Sequence, residues 1–147
     1  MEAVLRTVGD QISGEELDQL EYKMVRGFDG VRRAEIPLKN KTLKIAVVTG
    51  LKNVEVILKE LKEDPNRYHF IEVMACEGGC IGGPGQPVHK TETRLQTLKK
   101  RAKGLYNAEI KKISRKAHKN PALIKVYNEY LGDIGGNKAI KLLHRKY

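Results

Sequence analysis

Glu72-Val-Met-Ala-Cys-Glu-Gly-Gly-Cys-Ile-Gly-Gly-Pro-Gly-Gln-Pro87 holds both cysteines of a 147-residue chain, five of its fourteen glycines and two of its five prolines. The apolar run Phe70-Ile-Glu-Val-Met-Ala75 leads into it and reads as a strand that delivers Cys76 and Cys80 into a glycine-rich loop. Upstream, Val54, Ile57, Leu58 and Leu61 recur at i, i+3, i+4, i+7, an amphipathic helix ending near Asp64-Pro65. Further back, Ala34, Ile36 and Leu38 alternate with polar residues, Asn40-Lys41 turns, and Leu43, Ile45 and Val47 alternate again, which is a hairpin signal. Strand, helix and strand imply a right-handed βαβ crossover. The fold class is therefore α/β, and the cysteines lie just past the C-terminal end of the second parallel strand, where open sheets gather ligand-binding loops.

Toward the N-terminus, a helix is expected from Glu2 to about Gln11. Ser13-Gly-Glu-Glu16 has the spacing of a capping box and predicts a second, short helix starting there. Beyond Pro87 the composition turns basic, with Lys and Arg crowding residues 90 to 119 and Leu95, Leu98, Ala102 and Leu105 marking one apolar helix face. Asn120-Pro121 is a cap followed by a first-turn proline, opening a helix that runs to Leu131-Gly132. Asn137 is expected to cap a last helix bearing Ile140, Leu143 and Tyr147. These helices are too short to stand alone, so they should wrap around the first part or another subunit. The division read from this shift is 1–88 and 89–147.

Length and a 40% hydrophobic content suit one compact domain, or one domain with an appendage. The formal charge of +10 suits nucleic acid, an acidic membrane surface or an acidic protein partner. A nucleic-acid module is disfavoured because no base-reading motif is visible and stacking aromatics are few. The start Met1-Glu-Ala-Val-Leu-Arg-Thr lacks a basic region followed by an apolar core, and no window approaches a membrane span. The expectation is a soluble, cytoplasmic chain with no membrane segment, in which thiols are free or metal-bound.

A Cys-x3-Cys pair offers two thiolates, while a structural zinc or an iron-sulfur cubane normally takes four protein ligands. His69, His89, His118 and His144 include no His-x3-5-His companion. Three readings stay open on spacing alone: half of a shared iron-sulfur site, a redox or disulfide pair, and ordinary thiols in a glycine loop.

The sixteen-residue stretch closely resembles the third cysteine motif of the iron-only (FeFe) hydrogenases. In that family a 4Fe-4S cubane is joined through one cysteine to a two-iron centre bearing carbon monoxide, cyanide and a dithiolate, together called the H-cluster. The resemblance implies that Cys76 is a cubane ligand, that Cys80 bridges cubane and two-iron centre, and that Met74 lines the pocket beside it. It extends to Met1-Glu-Ala-Val-Leu-Arg-Thr, to Val25-Arg-Gly-Phe-Asp-Gly-Val31 through Gly50, and to a tail like the family's small subunit. The tail pieces are Gly104-Leu-Tyr106, Ser114-Arg-Lys-Ala-His-Lys-Asn-Pro121, Val126-Tyr-Asn-Glu-Tyr-Leu-Gly132 and Leu142-Leu-His-Arg-Lys-Tyr147, which implies a helical belt around the catalytic domain.

Glu77 stands where the family usually has Pro, Gly82 where it has Asn, and Pro84 where Gly is common. The first and second cysteine motifs, the proton-donating cysteine and the basic residue that holds a cyanide are absent. The resemblance therefore implies a part of a split, multi-subunit hydrogenase for reversible dihydrogen oxidation. A larger subunit would supply the remaining H-cluster ligands, and ferredoxin-like or NAD(P)-linked subunits would carry electrons. The alternative is a non-catalytic iron-sulfur assembly or scaffold protein related to hydrogenases. The bland readings are that Met74 is core packing, Glu77 a solvated loop carboxylate, His118 and His144 surface or capping groups, and Tyr106, Tyr127, Tyr130 and Tyr147 belt packing. The lysine-rich face from Lys99 to Lys119 reads as solvated surface, with docking to an acidic subunit or ferredoxin as its functional counterpart.

Overall fold

The computed structural model describes residues 1–39, 41–88 and 91–145. Asn40 of the hairpin turn, His89 and Tyr147 lie outside these residues. Strands β1 (Val31–Leu38) and β2 (Lys41–Thr49) form the antiparallel hairpin read from their alternation, with Ala34 opposite Ile45 and Ile36 opposite Leu43. Helix α2 (Val54–Glu63) then returns the chain, and β3 (Phe70–Met74) pairs parallel to β2 with Val48 opposite Val73 and Thr49 opposite Met74. The sheet order is β1-β2-β3.

Strand β2 is the centre of the core because its two faces are both covered. Ile45 and Val47 join Ala34, Ile36 and Leu38 of β1 against Leu5, Tyr22 and Val25 on one side. Ala46 and Val48 meet Ile57 of α2 on the other. Helix α1 (Glu2–Ser13) supplies Leu5 to the first layer. Strand β3 is less covered than its apolar sequence implies: Phe70 is 44% and Val73 47% exposed at this edge. An edge strand with open apolar side chains is a surface for further structure to cover.

Two expected helix starts are corrected. No helix begins at Ser13; that residue is the last of α1, and Gly14 in the left-handed conformation closes the helix with its amide bonded to Asp10 O at 3.0 Å. Ser-Gly at a helix end serves C-capping as readily as N-capping, and here the glycine prevails. Ser13 Oγ is buried with no partner among the described residues, and Glu16 binds Lys116 and Lys119. Asn137 is the first residue of α5 (Asn137–Leu143), whose cap position is Gly136, and its side chain makes no cap bond.

The tail starts with α3 (Arg94–Ile110), opened by a full capping box between Thr93 and Gln96. That Thr-x-x-Gln signal is legible in the sequence, where it marks the helix start more sharply than the apolar stripe does. Leu98 and Ala102 of the apolar face are buried, while Leu95 and Leu105 are exposed. Asn120 caps α4 (Pro121–Val126) by accepting from the Ala122 amide, with Pro121 in the first turn as its φ preference dictates. A π-helical turn, Tyr127–Leu131, continues it to Gly132 at φ 77°. Lys116 closes the tail onto α1 through the Asp10 carboxylate. Tyr130 departs from belt packing: it is exposed, and Lys138 Nζ stands 3.8 Å from its ring centroid.

Candidate functional site

The site begins where β3 stops. The Met74 carbonyl accepts from the Gly50 amide at 2.8 Å, which ties the end of β3 to the turn after β2. Gly78 and Gly79 follow at φ 77° and 71°, a pair of left-handed residues that reverses the chain into the 3-10 turn Gly79–Gly82. A Cβ on Gly79 would stand 2.6 Å from Met74 Sδ, and one on Gly82 would stand 2.2 Å from the Glu77 carbonyl oxygen. Glycine is thus required here for close packing as well as for backbone freedom. Gly83 is less constrained, since a Cβ there would make only ordinary contact with Cys76 Sγ at 3.8 Å.

Cys76 is half-buried and Cys80 exposed, and both are free thiols, so the disulfide reading is not the one the structure adopts. Cys80 and Met74 share a cleft of about 280 Å³ with Thr49, Arg26, Arg32 and Tyr106. Met74 also packs against the core around β2, as its bland reading has it. Arg26 forks onto Glu2 at 2.9 Å through both Nε and Nη2, and its guanidinium lies 4.3 Å from the Tyr106 ring centroid. The hydrogen bonding to Glu2 is the main reason the Arg26 pKa is raised. Burial raises the Tyr106 phenol, which stays protonated at neutral pH, and burial lowers Arg32 while leaving it cationic. Arg26, Arg32 and Tyr106 bring cations and a hydrogen-bond donor to the cleft that Cys80 lines.

Glu77 points away from such chemistry. Its carboxylate meets Lys52 at 3.3 Å and Arg94 at 3.8 Å in an exposed setting. His118 bridges to α1, with Nδ1 2.9 Å from Thr7 Oγ1 and Nε2 3.0 Å from Asp10 Oδ2, far in sequence from the cysteine loop. His144 follows the last helix and is exposed.

Two soft thiolate donors suit iron-sulfur chemistry. Among the described residues no group of three or more His, Cys, Asp or Glu side chains could hold a metal ion. Two thiols are fewer than the four protein ligands a cubane normally takes, so this donor set suits part of such a site and not a whole one.

The comparisons with known proteins give this arrangement its class. Residues 1–84 match the family "iron only hydrogenase large subunit, C-terminal domain", and residues 95–147 match "iron hydrogenase small subunit". The chain belongs to the first of these, the family defined by the C-terminal domain of the large chain of iron-only hydrogenases. It is 42% identical over its whole length to iron hydrogenase 1 of Clostridium pasteurianum, covering 26% of that protein. It is also 42% identical over its whole length to the NADP-reducing hydrogenase subunit HndD of Solidesulfovibrio fructosivorans, covering 25% of it. A cytosolic Fe-S cluster assembly factor of Danio rerio, narfl, is 29% identical over 98% of this chain and 34% of its own length. The fold matches a variant of FeFe-hydrogenase HydA1 from Chlamydomonas reinhardtii with a TM-score of 0.76 at 31% identity, over 100% of this chain and 43% of that one. The chain spans about a quarter to a third of the length of these curated relatives. No helix among the described residues is long and apolar enough to cross a membrane.

Proposed function

We propose that this chain supplies part of the H-cluster site of an iron-only hydrogenase that oxidises dihydrogen reversibly to protons and electrons. Cys76 and Cys80 would hold the cluster through their thiolates, and Met74 would be the apolar wall beside it. The observation that carries this reading is that Cys80 and Met74, six residues apart across a glycine turn, line one cleft at the end of β3. When bound, the H-cluster supplies an open iron site at which dihydrogen is split and a cubane through which electrons pass. This chain's own residues do the rest of the local work. Met74 excludes water from one wall, and the Arg26, Arg32 and Tyr106 side chains present positive charge and a neutral hydroxyl to the thiolate.

The remaining ligands come from a segment with the first two cysteine motifs, supplied by a larger hydrogenase subunit in a cytoplasmic complex. Residues 1–88 form the part of the cluster domain carried here, and 89–147 form a belt around it. The open apolar edge at Phe70 and Val73 supports this reading, because a strand buried in a complete domain would not leave them uncovered.

The test is iron and sulfide analysis with infrared spectroscopy on the chain purified anaerobically with its natural partners. Carbon monoxide and cyanide stretches that vanish in Cys80→Ser are expected. Iron and sulfide without those bands would favour the assembly-protein reading, to which the relatives of about 30% identity lend support. No metal would leave the two cysteines as ordinary thiols.

A further inference from the structure

The cysteine loop has little to hold it from within. Between Cys76 and Val88 five residues are glycine, and glycine loses more conformational freedom on ordering than any other residue. Outside its 3-10 turn, the loop's backbone bonds include Gly79 N to Cys76 O at 3.0 Å, Gly83 N to Cys80 O at 3.2 Å and Gln86 N to Gly83 O at 3.4 Å. Its ordering comes from α3, outside the motif and within the small-subunit-like region.

Three residues of one α3 face, at i, i+4 and i+7, meet the loop. Arg94 Nη2 donates to the Gly82 carbonyl at 2.9 Å. Arg101 Nη1 donates to the Ile81 carbonyl at 2.8 Å, and its Nη2 donates to the carbonyl of Pro87. Leu98 lies between them, only 5% exposed, and fills the room left by two absent side chains. A Cβ on Gly78 would come within 2.9 Å of Leu98, and one on Gly82 within 3.0 Å. The two carbonyls held by Nη2 of Arg94 and Nη1 of Arg101 belong to the residues that directly follow Cys80. Holding those peptide planes restrains the backbone that follows Cys80.

We infer that Arg101 and Arg94 are positioning residues for Cys80: they clamp the backbone of the cysteine loop onto α3, so that the shape of the ligand loop depends on the small-subunit-like helix. Arginine suits the task because one planar guanidinium reaches two carbonyls at once, whereas a lysine ammonium is a compact point donor. The clamp itself rests on contacts seen here; its consequence for the cluster rests on Cys80 being a cluster ligand.

The experiment uses the full chain with its natural partners, as the parent sequence and as Arg101→Met, Arg101→Lys and Arg94→Met. Amide hydrogen exchange is followed over residues 76–88, with the β2 segment 45–49 as an internal control of folding, and iron release to a chelator is timed on the same samples. Arg101→Met is expected to raise exchange over 76–88 about tenfold with β2 unchanged, and to speed iron release about fivefold. Arg101→Lys should fall between it and the parent. Unchanged exchange over 76–88 in Arg101→Met overturns the clamp, and iron release equal to the parent's overturns its role at the ligand. Should Arg101→Met expose β2 as well, Arg94→Met decides instead, since that side chain is 61% exposed; exchange in the loop must then rise, or the inference fails. A parent chain that holds no iron would sink the H-cluster reading while the exchange data still judge the clamp.

Discussion

Lys116 Nζ lies 2.8 Å from Asp10 Oδ2, a contact between residues 106 positions apart. Lys116 is only 6% exposed, and it also donates to the Leu17 carbonyl at 2.7 Å and to Glu16 at 3.4 Å. Close by, Arg6 donates to the carbonyls of Leu20 and Arg115, both at 2.7 Å, and pairs with Glu109, which Arg115 also grips through two bonds. These bonds fasten the basic tail across α1. The lysine-rich stretch is therefore not all solvated surface, because one of its lysines is a buried tie.

Replacing Lys116 with Met keeps most of the stem but takes the ammonium from the Asp10 carboxylate, which is left with the Leu17 amide and His118. Removing one partner of a buried pair is costly, and the two remaining bonds offset part of it, so a loss of about 2 kcal/mol is expected. Urea unfolding of Lys116→Met against the parent chain measures it, and a change below about 1 kcal/mol would show that the tie is structurally idle.

The same pair sets a pH window. Burial pushes the Asp10 carboxyl up, but bonds from Lys116, the Leu17 amide and His118 outweigh it, so its folded pKa lies below the ordinary value. Its stabilisation is present above the unfolded value, about 3.9, and is lost as pH falls through the folded value. Burial pulls Lys116 down, but Asp10 and Glu16 outweigh that, so its folded pKa is raised. Its stabilisation is fully present below the unfolded value, about 10.4, and is lost as pH rises through the folded one. The stability gap between parent and Lys116→Met should be flat from about pH 5 to 10 and shrink below about pH 4 and above about pH 10.4, measured by urea unfolding at pH values from about 3 to 11.

Gly82→Ala places a methyl group on the Glu77 carbonyl oxygen, a backbone atom that cannot rotate aside. Overpacking of this kind costs about 1–3 kcal/mol. A lowered melting temperature with unchanged far-ultraviolet circular dichroism is expected, since β2 and β3 lie upstream of the clash. The asparagine usual to the family at this position should be tolerated no better, because its Cβ meets the same oxygen.

Glu77→Gln should be nearly silent for stability. Its contacts with Lys52 and Arg94 are exposed, and such pairs contribute less than about 1 kcal/mol. Thermal melts of the two proteins should overlay within a degree or two, more closely still at high salt. A large loss would mean that the carboxylate braces the cysteine loop.

The hairpin, the crossover helix and the placement of Cys76 and Cys80 at the end of β3 were legible in the chain itself, because period-two and period-3.6 patterns are local and each strand's burial is written into its own residues. The cysteine motif was legible too, and three of its glycines, Gly78, Gly79 and Gly82, sit where close packing against Met74, Glu77 and Leu98 leaves no room for a side chain. Other features depended on partners distant in sequence. Ser13 closes a helix instead of opening one, Lys116 is buried among acceptors near residues 10 to 17, and Leu95 and Leu105 stay exposed on a face whose pattern promised burial. So it was with Arg94 and Arg101, which read as two more charges in a basic helix until the loop carbonyls were placed against them. A charge run or an apolar stripe states what a segment can bind; which atoms it meets is settled by the packing of elements that the sequence keeps far apart.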